Sequence, residues 1–155
     1  MDPNAKVRLE REGDVAVLVI DNPPVNAGSA EVRRGLLEGV REVQSDGALR
    51  AVVIIGAGTT FVAGADLREF GRPLEEPQLP EVIAAIEACN KPVVAALHGA
   101  ALGGGFELAL GCDARVASPG TVVGLPEVTL GIIPGAGGTQ RLPRIVGIAQ
   151  ALFGT

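Results

Sequence analysis

Residues 91–117 read KPVVAALHGAALGGGFELALGCDARVA, and the fold turns on how this stretch divides. The apolar run 92–97 predicts a buried strand. Gly103, Gly104 and Gly105 predict a sharp turn or a close backbone approach, and an apolar helix is expected from about Phe106. Glu107 stands at the mouth of that helix among Leu, Ala and Gly. A glutamate is rarely buried without a partner, and the first residues of a helix leave N–H groups unpaired. A carboxylate and free backbone donors in one place point to a site.

Upstream, VAVLVI at 15–20 predicts a strand buried on both faces, ended by the turn DNPP. Ser29 is placed to cap a helix running to about Gln44, with Val32, Leu36, Val40 and Val43 on one face and Arg33, Arg34, Glu38 and Arg41 elsewhere. AVVII at 51–55 is a second buried strand. FVAGADLREF at 61–70 predicts a turn into a short helix with Asp66 near its cap, and the Pro- and Glu-rich residues 71–80 an exposed, mobile loop. Pro80 opens a helix to Cys89 with Val82, Ile83, Ile86 and Cys89 inward. Downstream, a turn at 118–120 and an extended piece at 121–124 lead into LPEVTLGIIPGAGGTQRLPRIVG. Alternating strands and helices predict an α/β fold with parallel strands.

The 155 residues suffice for one domain. Apolar content is 47% and mean hydropathy +0.35, with 22 Gly and 11 Pro, a composition of many tight turns. Residues 1–80 carry 13 acidic and 9 basic side chains, and 81–155 only 5 and 4. The second half is therefore expected to be mostly core, or to present an apolar face that more protein would cover. A net charge of −5 without basic clusters argues against nucleic acid. No apolar run predicts a membrane span, and the polar N-terminus reads as neither signal nor transit peptide. Cys89 and Cys112 are widely separated and are read as free thiols of a reducing cytoplasm.

GAGTTF at 56–61 and GAGGTQ at 135–140 lack the last glycine of a dinucleotide fingerprint, and no glycine precedes Lys-Ser or Lys-Thr. There is no GxSxG elbow. His98, the single histidine, is read as a hydrogen-bonded turn residue. By themselves, Asp66 reads as a helix cap and Glu127 as a surface residue after a proline turn.

Taken together, FVAGADLREF, HGAALGGGFELALGCDARVA and GLPEVTLGIIPGAGGTQRLPRIVG resemble three successive segments of the crotonase family, the enoyl-CoA hydratases and isomerases. The NPPVN turn at 22–26 and the GLPEVTLG wording are most similar to the amino-terminal hydratase part of bifunctional enoyl-CoA hydratase/3-hydroxyacyl-CoA dehydrogenases. The resemblance implies a spiral of β-β-α units over residues 1–155, with the family's C-terminal helices missing, and a homo-oligomer built on trimers when full length. It implies an oxyanion hole from the backbone N–H groups of Ala65 and Gly104, and paired carboxylates Glu107 and Glu127 holding a water. Substrate and CoA contacts map to Val25, Ala27, Ala63, Asp66, Leu67, Pro126 and Gly135.

The implied reaction is addition of water to a 2-trans-enoyl-CoA thioester in fatty-acid β-oxidation. It uses no metal and no cofactor beyond the coenzyme A of the substrate, and without a dehydrogenase part NAD is not implied. The alternatives are a Δ3,Δ2-enoyl-CoA isomerase and a non-catalytic acyl-CoA-binding fragment. A cytoplasmic location is expected.

Overall fold

The computed structural model describes residues 4–154. Eight strands and five helices follow in order: β1 (Val7–Glu12), β2 (Val15–Ile20), α1 (Ala30–Ser45), β3 (Ala51–Gly56), β4 (Val62–Ala63), α2 (Leu79–Ala88), β5 (Val93–Leu97), β6 (Ala100–Leu102), α3 (Gly104–Leu110), β7 (Ala114–Ala117), β8 (Val122–Gly124), α4 (Gly138–Val146) and α5 (Ile148–Phe153). Single 3-10 turns occupy Leu67–Glu69 and Pro126–Leu130.

One sheet runs β1-β2-β3-β5-β7 and a smaller one β4-β6-β8. Every pairing is parallel except β1 with β2. The chain leaves β3 of the large sheet for β4 of the small one, returns through α2 to β5, and repeats with β6, α3, β7 and β8. Each turn of this spiral is a β-β-α unit, the expected architecture.

The core lies where the helices cover the large sheet. Leu18, Ile54, Phe61, Ile83 and Ile86 are at most 1% exposed, each stabilising the fold by about 1.5–3 kcal/mol through burial. The Ser29 hydroxyl accepts the Val32 N–H at the start of α1, and Val32, Leu36, Val40 and Val43 are all buried as the spacing predicts. The Cys112 thiol is also buried, which raises its pKa to about 12.

Several details differ from the sequence reading. Helix α3 begins at Gly104, two residues earlier than expected, and β1, β4 and β6 were not foreseen. Two- and three-residue strands have no periodicity to read, and β1 is polar because half of it faces solvent. Cys89 ends half-buried, just past α2. Arg33 is buried rather than outward. Its guanidinium donates to the carbonyls of Glu75 (3.0 Å) and Pro77 (2.7 Å), so the loop at 71–80, although mostly exposed, is tethered to α1.

Candidate active site

Strand β4 lies beside β6 in parallel register, Val62 opposite Ala101 and Ala63 opposite Leu102. Gly64 and Gly103 are the next residue after each strand, and Ala65 and Gly104 follow them. Both glycines have positive φ (+92° and +55°), so each strand turns abruptly after its last pair. A Cβ on Gly103 would stand 3.8 Å from Gly64 Cα, so the two turns are in close contact. Neither the Ala65 nor the Gly104 N–H donates to another group among the described residues, and both residues line one cavity of about 430 Å³.

Glu107 lies one turn into α3, whose residues 105–110 are all buried. The carboxylate is 3% exposed, and its Oε1 accepts the N–H groups of Ala136 and Gly138, each at 2.9 Å. Ala136 lies in the glycine-rich loop before α4 and Gly138 opens that helix. Both bonds fall on Oε1, and Glu107 Oε2 has no hydrogen bond among the described residues. Gly138 is required at this contact, because a Cβ there would stand 2.9 Å from Glu107 Oε1.

Glu127 is on the 3-10 turn after β8 and is 8% exposed, not a surface residue. Its carboxylate packs against Gly103, where a Cβ would meet Glu127 Oε1 at 3.1 Å. Its Oε2 is buried with no hydrogen-bond partner. Such an oxygen is costly unless something polar occupies the space beside it. Burial pushes the Glu127 carboxyl above its ordinary pKa; its own backbone N–H opposes this, and the negative charge of Glu107 adds to the rise.

The cavity therefore joins Ala65, Asp66, Gly104, Glu107, Glu127 and Gly135 from the expected set. Asp66 caps the Leu67–Glu69 turn by accepting the Arg68 N–H at 3.0 Å, and its carboxylate is held by the Arg68 side chain, which lowers its pKa. It is a cap at the rim, as its local sequence indicated.

Val25, Ala27, Ala63, Leu67 and Pro126 do not line this cavity. The first three lie beside it, where the Ala63 N–H donates to the Val25 carbonyl (3.1 Å) and the Gly28 N–H to the Gly64 carbonyl (3.0 Å). Leu67 is 61% exposed and Pro126 only precedes the glutamate. The reason is the pleat and turn geometry. Ala63 is in the strand before the Gly64 turn, and Leu67 follows the Asp66 cap pointing outward.

The structure adds wall residues that the sequence did not mark: Gly28, Arg33, Phe70, Leu74, Ile132 and Ile133. The apolar ones come from loops, without periodicity to announce them. The His98 Nε2–H donates to the Gly58 carbonyl at 3.1 Å, away from the cavity, as a turn residue should.

A family model described as enoyl-CoA hydratase/isomerase matches residues 10–152. The chain is 55% identical over 138 residues to the peroxisomal bifunctional enzyme of Danio rerio, covering 89% of this chain and 19% of that protein. It is 47% identical over 145 residues to a probable enoyl-CoA hydratase of Bacillus subtilis (strain 168), covering 89% and 56%. Among solved structures, an enoyl-CoA hydratase from Thermoplasma volcanium GSS1 superposes with a TM-score of 0.89 at 33% identity, covering 97% of this chain and 63% of that one. The chain thus spans about a fifth of the bifunctional relatives and just over half of the bacterial one.

Proposed function

The chain belongs to the enoyl-CoA hydratase/isomerase family, and from that premise we propose that it hydrates 2-trans-enoyl-CoA thioesters in fatty-acid β-oxidation. The observation that carries this reading is a buried pair of glutamates lining a cavity together with two backbone N–H groups that, among the described residues, have no partner. Hydration of a conjugated thioester requires these components and is redox-neutral, so neither a metal nor a redox cofactor enters the proposal; coenzyme A arrives with the substrate.

In the proposed reaction the thioester oxygen sits between the Ala65 and Gly104 N–H groups. A water is held between the carboxylates of Glu107 and Glu127. The water oxygen bonds to C3 as its proton passes to Glu107, and the C2–C3 π electrons move onto the thioester as an enolate. The two amides stabilise that charge where it develops, about 3–4 kcal/mol per donor. Glu127, whose raised pKa favours the protonated form, delivers its proton to C2 as the enolate collapses. The proton on Glu107 then restores Glu127 through solvent. The stretch 25–27 with 63–67, of which Val25, Ala65 and Leu67 are exposed, is the proposed track for the CoA moiety, held mostly by backbone.

Loss of the absorbance of a conjugated enoyl thioester, followed with the 155-residue chain, tests this. Turnover that disappears in Glu107→Gln and in Glu127→Gln supports it. Thioester binding without turnover in the parent overturns it in favour of a non-catalytic binding module. The family description also names isomerases, and a glutamate able to carry a proton serves that reaction as well; a 3-enoyl thioester assayed alongside separates the two. Association into trimers is also proposed, to be checked by sedimentation.

No helix of the described residues is long and apolar enough to cross a membrane. A cytoplasmic location is the proposal, with the peroxisome, named for several relatives, as its competitor; cell fractionation decides between them.

A further inference from the structure

Arg33 is an expensive residue where it stands. It is 7% exposed and in the first turn of α1, where a cation opposes the helix dipole. A buried ion pair is no more stabilising than well-packed apolar side chains of the same size, so packing alone does not account for a guanidinium here. Four of its five N–H donors are committed: Nε to the Pro77 carbonyl (2.7 Å), Nη1 to the Gly28 carbonyl (2.8 Å) and to Glu69 Oε2 (2.9 Å), and Nη2 to the Glu75 carbonyl (3.0 Å). Glu69 Oε1 in turn accepts the Ala30 N–H at 2.7 Å.

The Gly28 contact leads to the site. Gly28 donates its own N–H to the Gly64 carbonyl at 3.0 Å. The Gly64 carbonyl and the Ala65 N–H belong to one planar peptide and point in opposite directions. Holding the Gly64 oxygen on the Gly28 N–H therefore fixes the direction of the Ala65 N–H, on a residue that lines the cavity. Gly64, at φ +92°, offers little resistance of its own to rotation of that peptide.

We propose that Arg33 is a positioning residue that fixes the Ala65 donor through Gly28 and the Gly64–Ala65 peptide. The proposal rests on the hydratase reading for its chemical consequence, but the linkage itself does not depend on substrate. Arg33 is required as an arginine, because a lysine cannot serve four acceptors spread over a planar fork.

The test is carried out on the full chain labelled with 15N, comparing the parent with Arg33→Met, Arg33→Lys and Glu69→Gln. The expected result is displacement of the Gly28 and Ala65 amide resonances in both Arg33 variants while Val17 and Val52 in the large sheet stay in place. With a 13C-labelled saturated acyl-CoA bound, the downshift of the thioester carbonyl stretch shrinks in the variants. The kcat for hydration falls about 10- to 100-fold, the scale of a misplacement near 1 Å, with KM little changed.

Unmoved Ala65 resonances in the folded Arg33 variants overturn the inference, as does a carbonyl band identical to that of the parent. If Arg33→Met does not fold, Glu69→Gln decides: it displaces Ala65 in the same direction by less, or the inference falls. A parent protein that leaves the thioester carbonyl band unshifted overturns the hydratase reading instead, and the amide resonances still decide the linkage.

Discussion

Gly138 lies so close to Glu107 that a Cβ on the glycine would stand 2.9 Å from the glutamate's Cγ and 2.9 Å from its Oε1. The carboxylate is seated in a notch that a methyl group would fill. Gly138→Ala is expected to push the Glu107 head toward the cavity and break the bonds from Ala136 and Gly138. Overpacking of this kind costs about 1–3 kcal/mol. The expected outcome is a kcat lowered at least tenfold in a protein that still melts cooperatively, checked by thioester kinetics beside a melting curve.

Glu107→Gln and Glu127→Gln each remove one member of a pair that acts on a single water. Each is expected to lower kcat by about 10²- to 10⁴-fold, the range for a lost acid or base. Groups working as a unit are not additive. The double variant should therefore be scarcely slower than the worse single one, and losses that multiply would show that the two glutamates act separately.

Stability should follow the protonation of Glu127. Its pKa is raised in the folded state by burial and by the charge of Glu107. A raised carboxyl gives stability that is full below the ordinary carboxylate range and is lost as pH rises through the folded value. Glu127→Gln is expected to melt higher than the parent at pH 8, with the difference shrinking as the pH falls to about 4, the ordinary carboxylate range. Thermal melts of the two proteins across that interval check the sign.

Gly105 follows the Gly104 donor, yet its substitution should damage the fold rather than the chemistry alone. A Cβ there would lie 2.1 Å from the Val62 carbonyl and 2.7 Å from Val62 Cβ. Backbone cannot yield as a flexible side chain does. Gly105→Ala is expected to cost about 3 kcal/mol or more, the upper end for overpacking, and to show as a lowered denaturant midpoint or loss of the folded protein.

The longer elements of this chain were legible because their patterns are local. VAVLVI, AVVII and the Val32–Leu36–Val40–Val43 face name their own burial, and Ser29 and Asp66 name the turns they cap. Glu107 was conspicuous as the single charge in an apolar helix. Glu127 was not, since nothing within its own turn shows that Gly103, 24 positions earlier, lies against its carboxylate; only the resemblance of three separated segments joined the two acids. Arg33 misled for a related reason. A helix pattern tells which residues face the core of that helix's own sheet, and here a distant loop folds over the opposite side.

The two amides that are unpaired among the described residues stand two positions beyond β4 and β6, which are paired in parallel register. Neighbouring strands are held about 4.7–4.9 Å apart by main-chain bonds, a width at which donors on the two rails can share one guest atom between them. The gauge thus begins with the polypeptide itself, and Arg33 fixes the aim of one of its two donors. Substitutions at Val62, Ala63, Ala101 or Leu102 that keep the ladder intact would leave the grip on that atom unaltered, so the surrounding walls are free to diversify for different acyl tails while the point of hold stays the same.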